Sequence, residues 1–301
     1  TAPNLVLCDK GGAHNFQNQG EMVAFNPWNY RCCQHNVAQG WPYYIEHLWL
    51  ATQGDGLAAV LYAPCVVKAK VGAEGTEIGI IEETDYPFGE TVDFIVAATK
   101  PVRLGLSLRI PGWCRDAVVY VNGARQDVAA APGAYVTIDR EWQAKDVVRL
   151  TLPMRLAVRV WDRMKNAVSV DRGPLSYSLQ IREKWAPFTP AAGVPAGTTP
   201  EALQKWMGHE VLPDSPWNYG LVVDPENPDA TLQVVRKTGP LADQPFTHEA
   251  APVSIRARGK RIPGWQMENF TCGELRPGPI RSDEPEEEIT LIPMACARLR
   301  I

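Results

Sequence analysis

The rhythm of hydrophobic and polar positions changes once along this chain, near residue 54. From Gln34 to Thr52 apolar side chains recur at steps of four and three (Val37, Trp41, Tyr44, Leu48, Ala51), the spacing of one stripe on an α-helix. Pro42 lies inside that stripe. It predicts either a kink near Gly40 or a helix that starts near Trp41 with Pro42 in its first turn. Gly54 and Gly56, flanking Asp55, end the pattern. Beyond Leu57 the period falls to two. Val92, Phe94 and Val96 alternate with their neighbours, as do Leu104, Leu106, Leu108 and Ile110, and then Val148, Leu150 and Leu152. Turn residues separate these runs: Tyr86-Pro87-Phe88-Gly89, Pro111-Gly112, Asn122-Gly123 and Pro132-Gly133. Val118 to Val121 followed by Asn122-Gly123 is a strong hairpin signal. Short strands at this spacing, with no helix between them, predict an antiparallel β-sandwich over residues 54–160.

Residues 161–301 predict a second β-rich domain. A strand–turn–strand unit surrounds Asp171-Arg172-Gly173-Pro174, and further strands are expected at 221–223, 232–236, 253–256, 289–292 and 295–301. Residues 186–215 read as a long surface loop with a short helix at Pro200–Met207. Asp283 to Glu288 reads as a solvated acidic turn. Residues 1–33 hold no lasting period and are punctuated as loop by Gly11-Gly12, Asn15, Asn18, Gly20 and Asn26-Pro27. The fold class is therefore mainly β, with sandwich domains at 54–160 and 161–301 preceded by the helix that closes residues 1–53.

Composition agrees with this outline and narrows the partners. The 26 prolines and 24 glycines suit a turn-rich β protein. Formal net charge is −4 and no basic block stands out, so nucleic acid is not an expected partner. No apolar run approaches the ~20 residues of a membrane-spanning helix. Thr1-Ala2-Pro3-Asn4 has neither an initiator Met nor the apolar core of a signal peptide, and a segment of a longer chain is expected. Oligomeric state and compartment are left open by the sequence, with a homodimer among the assemblies considered.

The chemistry concentrates at Arg31-Cys32-Cys33-Gln34-His35-Asn36. Of the seven cysteines, Cys65, Cys114 and Cys296 lie in apolar or turn contexts and read as small buried hydrophobes. The adjacent pair has four readings: two inert thiols, a strained vicinal disulfide, two ligands of a soft metal such as zinc, or a nucleophile with its neighbour. A position at the mouth of a helix, beside Arg31, lowers a thiol pKa and raises the functional readings. His35 sits in the first helical turn, where a capping or surface role is the commoner use. Glu46 and His47 lie 13 and 14 positions beyond Cys33, about 20 Å along a helix, and share no site with the pair unless the helix breaks at Pro42. Trp28, Tyr30, Trp41, Tyr43, Tyr44 and Trp49 form an aromatic group that would suit a sugar cleft, although Trp41 and Tyr44 lie on the stripe expected to face a core.

These residues resemble a family. Arg31-Cys32-Cys33-Gln34-His35-Asn36, Gly40-Trp41-Pro42-Tyr43-Tyr44, Tyr86-Pro87-Phe88-Gly89-Glu90-Thr91-Val92, Leu108-Arg109-Ile110-Pro111-Gly112-Trp113-Cys114, Asp171-Arg172-Gly173-Pro174-Leu175 and Leu291-Ile292-Pro293-Met294 are similar to blocks of glycoside hydrolase family 127, which includes β-L-arabinofuranosidases. The resemblance implies an (α/α)₆ catalytic barrel followed by β-sandwich domains, with this chain holding the terminal barrel helix and the sandwiches. It implies a zinc cofactor, with Cys32 as nucleophile and zinc ligand and Cys33 as a further ligand. It implies a carbohydrate substrate and retention through a thioglycosyl intermediate, and His35, Trp28 and Tyr30, near the pair in sequence, are the candidate sugar contacts. The family's acid/base Glu and a third Cys ligand would come from upstream residues of the barrel, since no Glu-x-Cys precedes Cys32 here. Family arabinofuranosidases carry Cys-Cys-Pro-Pro-Asn where this chain has Cys-Cys-Gln-His-Asn, which implies a different polarity beside the substrate. Two other classes stand beside this one: a non-catalytic glycan-binding or bracing sandwich, and a redox or structural metal pair unrelated to sugar.

Overall fold

The structure is a computed structural model and describes residues 13–14, 20–21, 32–188, 196–205, 208–268 and 271–301. Two-residue strands β1 (Ala13–His14) and β2 (Gly20–Glu21) pair antiparallel, and helix α1 (Cys32–Glu46) follows. The chain divides into two units, residues 39–155 and residues 156–301 with 1–38.

Residues 39–155 build two sheets around one core. Strands β3 (Trp49–Thr52) and β4 (Gly56–Ala59) form a hairpin, followed by β5 (Cys65–Val71), β6 (Thr76–Thr84), β7 (Thr91–Ala98) and β8 (Val102–Arg109). Then come β9 (Val118–Val121), β10 (Ala124–Arg125), β11 (Tyr135–Trp142) and β12 (Val147–Thr151). One sheet runs β10-β9-β12-β7-β6-β5 and the other β11-β8-β4-β3. Their inward positions, among them Ile78, Ile80, Phe94, Leu106, Leu108, Val136 and Leu150, join one buried cluster. The alternation read from the sequence is therefore the alternation of inward and outward faces. Asn122 and Gly123 both take positive φ between β9 and β10, as the hairpin signal requires. The pairing of β4 with β8 is parallel, Leu57 opposite Leu106, in an otherwise antiparallel sandwich. Its closeness depends on Gly56, where a Cβ would collide with the Gly105 carbonyl.

In the second unit a seven-stranded sheet joins β13 (Leu156–Trp161), β14 (Ala167–Arg172) and β15 (Leu175–Leu179) to strands from the chain's end. After β15 come the paired β16 (Glu183–Phe188) and β17 (Gly208–Pro213), with helix α2 (Pro200–Lys205) between them in sequence. Then follow β18 (Tyr219–Val222), β19 (Gln233–Arg236), β20 (Val253–Arg261), the short pair β21 (Met267–Glu268) and β22 (Thr271–Cys272), and β23 (Glu286–Pro293). The sheet order is β13-β14-β15-β23-β20-β18, with β19 also pairing with β20.

Several expectations change. The helix stops at Glu46 rather than near Thr52, because Leu48 and Trp49 are buried in the sandwich core and Gly54-Asp55, both at positive φ, turn the chain into a hairpin. Tertiary burial outweighs the continued helical spacing. Pro42 neither starts nor interrupts α1, which runs through it. Trp41 and Tyr44 are exposed, so the predicted apolar stripe has no core beneath it within residues 39–155. Residues 186–215 are not one loop, since β16 and β17 make a six-pair ladder. The acidic run is not wholly a turn: Glu286 to Glu288 lie in β23, and Glu286 and Glu288 pair with Arg258 and Arg256 of β20. Residues 294–296 form a 3₁₀ turn in place of the last expected strand. Cys114 and Cys296 are buried as expected, while Cys65 is half-buried.

Candidate functional site

Cys32 and Cys33 are the first two residues of α1, and His35 follows in the same turn. The pair thus lies within the helix's N-terminal turn, where unpaired backbone N–H groups and the helix dipole favour a thiolate. Trp28 and Tyr30 lie outside the described residues. Thiols such as those of Cys32 and Cys33 are of the kind zinc accepts, but two are fewer than the usual four ligands. Among residues with described side chains no group of three His, Cys, Asp or Glu stands ready for a metal. Glu46 is exposed at the opposite end of the same helix, as its spacing from Cys33 requires.

That opposite end is joined to the sandwich by a set of polar contacts the sequence reading missed. His47 Nδ1 hydrogen-bonds the Tyr43 carbonyl (2.6 Å), and the Leu48 N–H bonds the Ile45 carbonyl (3.3 Å), closing the last turn. The Leu48 carbonyl accepts from the Val60 N–H (2.9 Å) and the Leu61 N–H (3.2 Å). Trp49 packs edge-to-face on Phe94, with centroids 5.6 Å apart. Its indole Nε1 donates to Oε2 of Glu82 (2.9 Å).

Glu82 is 1% exposed on β6 and faces the core beside Ile78 and Ile80. Its Oε1 accepts from the Ala63 N–H (3.1 Å), and Cys65 Sγ donates to Oε2 at 3.6 Å. Among the described residues no cation pairs with it. Burial pushes its pKa up to about 7, against the pull of the Ala63, Trp49 and Cys65 hydrogen bonds. Burial and the adjoining carboxylate push the Cys65 thiol up to about 11, so Cys65 acts as a weak donor and not as a nucleophile. Tyr62 extends the network: its hydroxyl donates to the Arg109 carbonyl, and Arg109 Nε donates to the Val60 carbonyl. Burial holds the Tyr62 hydroxyl protonated, with its pKa far above the ordinary value. The sequence carried one sign of this cluster. The period-two run Ile78, Ile80 places Glu82 on the same inward face.

Comparison with known proteins bears on this layout. Residues 56–154 match the family model described as the β-L-arabinofuranosidase, GH127 middle domain. A GH127 β-L-arabinofuranosidase from Geobacillus stearothermophilus T6 is similar in structure over 89% of this chain, with a TM-score of 0.58 and 24% identity. A glycoside hydrolase is similar over 91% of the chain, with a TM-score of 0.58 and 20% identity. A GH127 β-arabinofuranosidase is similar over 88%, with a TM-score of 0.51 and 17% identity. The chain spans 36%, 41% and 36% of those three proteins in turn. No curated protein matches its sequence.

Proposed function

We propose, from the premise that residues 56–154 belong to the GH127 middle-domain family, that this chain works within a retaining glycoside hydrolase acting on arabinofuranoside-like plant glycans. Cys32 is the nucleophile in this reading. Its thiolate attacks the anomeric carbon, the aglycone leaves with a proton from a general acid in the upstream catalytic barrel, and water then cleaves the thioglycosyl bond with retention. Cys32 and Cys33 would hold zinc, which when bound supplies charge that keeps the thiol ionised. His35, Trp28 and Tyr30 would line the sugar's side of the cleft.

The observation that carries the reading is the placement of the pair. A Cys-Cys dipeptide opens a helix, at its positive end, and that helix ends at Glu46, shortly before the stretch 56–154 that matches the GH127 middle domain. An inert pair has no need of that position. The test uses the longest native form of the protein with an aryl β-L-arabinofuranoside and related pentosides. Wild type should release the aglycone, and Cys32→Ala should lose turnover by 10³-fold or more while keeping its fold. Normal turnover in Cys32→Ala removes the assignment. Absence of any pentosidase activity in wild type, with zinc still bound, favours a structural metal pair.

A further inference from the structure

Helix α1 has little beside it within residues 39–155. Trp41 is 60% exposed, Tyr43 68% and Ile45 62%. Side-face packing within residues 39–155 therefore contributes little to the direction in which the helix leaves this unit, and its anchored end is what this unit supplies to set it. The residues leaving α1 are gripped from two sides. Val60 and Leu61 hold the Leu48 carbonyl, and Glu82 holds the Trp49 indole. The same carboxylate takes the Ala63 N–H, so it also fixes the 60–63 segment that grips Leu48. One side chain ties three stretches: the helix exit, the link from β4 to β5, and strand β6.

We propose that Glu82 is a positioning residue, whose carboxylate fixes the exit of α1 and so the direction in which that helix leaves residues 39–155. A leucine in its place would fill the core without the cost of desolvating a charge. Apolar burial has no direction, however, whereas a carboxylate holding two donors from different segments at about 3 Å fixes both angle and register. The kinetic arm of the test rests on the Cys32 reading above; the exchange arm does not.

The test compares wild type with Glu82→Gln, Glu82→Leu, Trp49→Phe and the control Glu77→Gln, an exposed position on the same strand. Amide hydrogen exchange is followed at one pH in the longest native form. Glu82→Gln, Glu82→Leu and Trp49→Phe should each speed exchange at residues 44–50 by 10-fold or more, with β7 and β12 still protected, and Glu77→Gln should change nothing. The same three variants should lower kcat 10-fold or more with KM within twofold. Unchanged exchange at 44–50 in Glu82→Leu overturns the proposal. A uniform rise across β6, β7 and β12 also overturns it, because it marks a general core residue. If Glu82→Leu does not fold, Trp49→Phe, which removes the same bond from the other side, decides. Should wild type show no glycosidase turnover, the Cys32 reading fails while the exchange pattern still decides the clamp.

Discussion

Two buried carboxylates, one in each unit, are held by opposite means. Glu82 accepts only neutral donors: an indole N–H, a backbone N–H and a thiol. Glu183, whose side chain is 7% exposed, takes the Arg298 guanidinium on Oε2 (3.0 Å) and the Trp185 indole on the same oxygen (3.0 Å). The Arg298 guanidinium also lies over the Trp185 ring, 4.9 Å from its centroid. Neutral donors satisfy a carboxylate's lone pairs but leave its charge uncompensated in a medium of low dielectric. A guanidinium cancels the charge, and the indole ring in turn covers the guanidinium. The difference separates two uses of a buried acid. One joins backbone segments and is sensitive to pH; the other neutralises a partner.

The largest expected effect that would sharpen this contrast is on pH and stability. Glu82 titrates near 7 in the folded chain and near its ordinary 4.5 when unfolded. Between those values the folded protein keeps a proton that the unfolded chain has released. Stability of residues 39–155 should therefore fall as pH rises through that window, by about 3 kcal/mol in full, and Glu82→Gln should flatten the curve. Urea titrations at pH 5 and pH 8 measure it, and an equal stability in wild type at both would mean that Glu82 titrates like an exposed acid. Next in size, Arg298→Ala should cost about 2 kcal/mol, because it leaves the Glu183 charge buried without its cation. Since Arg298 is half-exposed, Arg298→Lys should recover only part of that cost, lacking the flat face that covers Trp185. The smallest effect is a control. Arg149 makes two 2.6 Å bonds to Asp93, yet it lies largely in solvent. Arg149→Ala should change stability by less than about 1 kcal/mol, with most of that lost at high salt. A larger loss would show that exposure is a poor guide to pair strength here.

Much of the sandwich was legible because each strand has one wet face and one dry face. Leu104, Leu106 and Leu108, or Val148 and Leu150, announce themselves by alternation, and Asn122-Gly123 names its own turn. Legibility failed where the deciding partner lies far off in sequence. Trp49 to Thr52 kept helical spacing, and only the Gly54-Asp55 turn and a distant core make it a strand. Glu286 to Glu288 look like a solvated run until Arg256 and Arg258 stand beside them across the β20–β23 ladder. The candidate site was legible in part. Its residue types and the helix that bears them were in the sequence, whereas the grip on the helix exit was hidden, since Glu82 is one acid in Ile-Ile-Glu-Glu-Thr.

The parallel pairing of β4 with β8 has a consequence for the order in which the protein matures. Hairpin β3–β4 cannot dock until a strand made about fifty residues later has left the ribosome, roughly 3 to 10 s at ordinary elongation rates. Until then Leu57 and Ala59 lack their β8 neighbours, Leu106 and Leu108. Closure of the sheet β11-β8-β4-β3 is thus a late event in biosynthesis. A pause between β7 and β8 therefore lengthens the time for which hairpin β3–β4 waits without its partner, whereas the same pause after β12 does not.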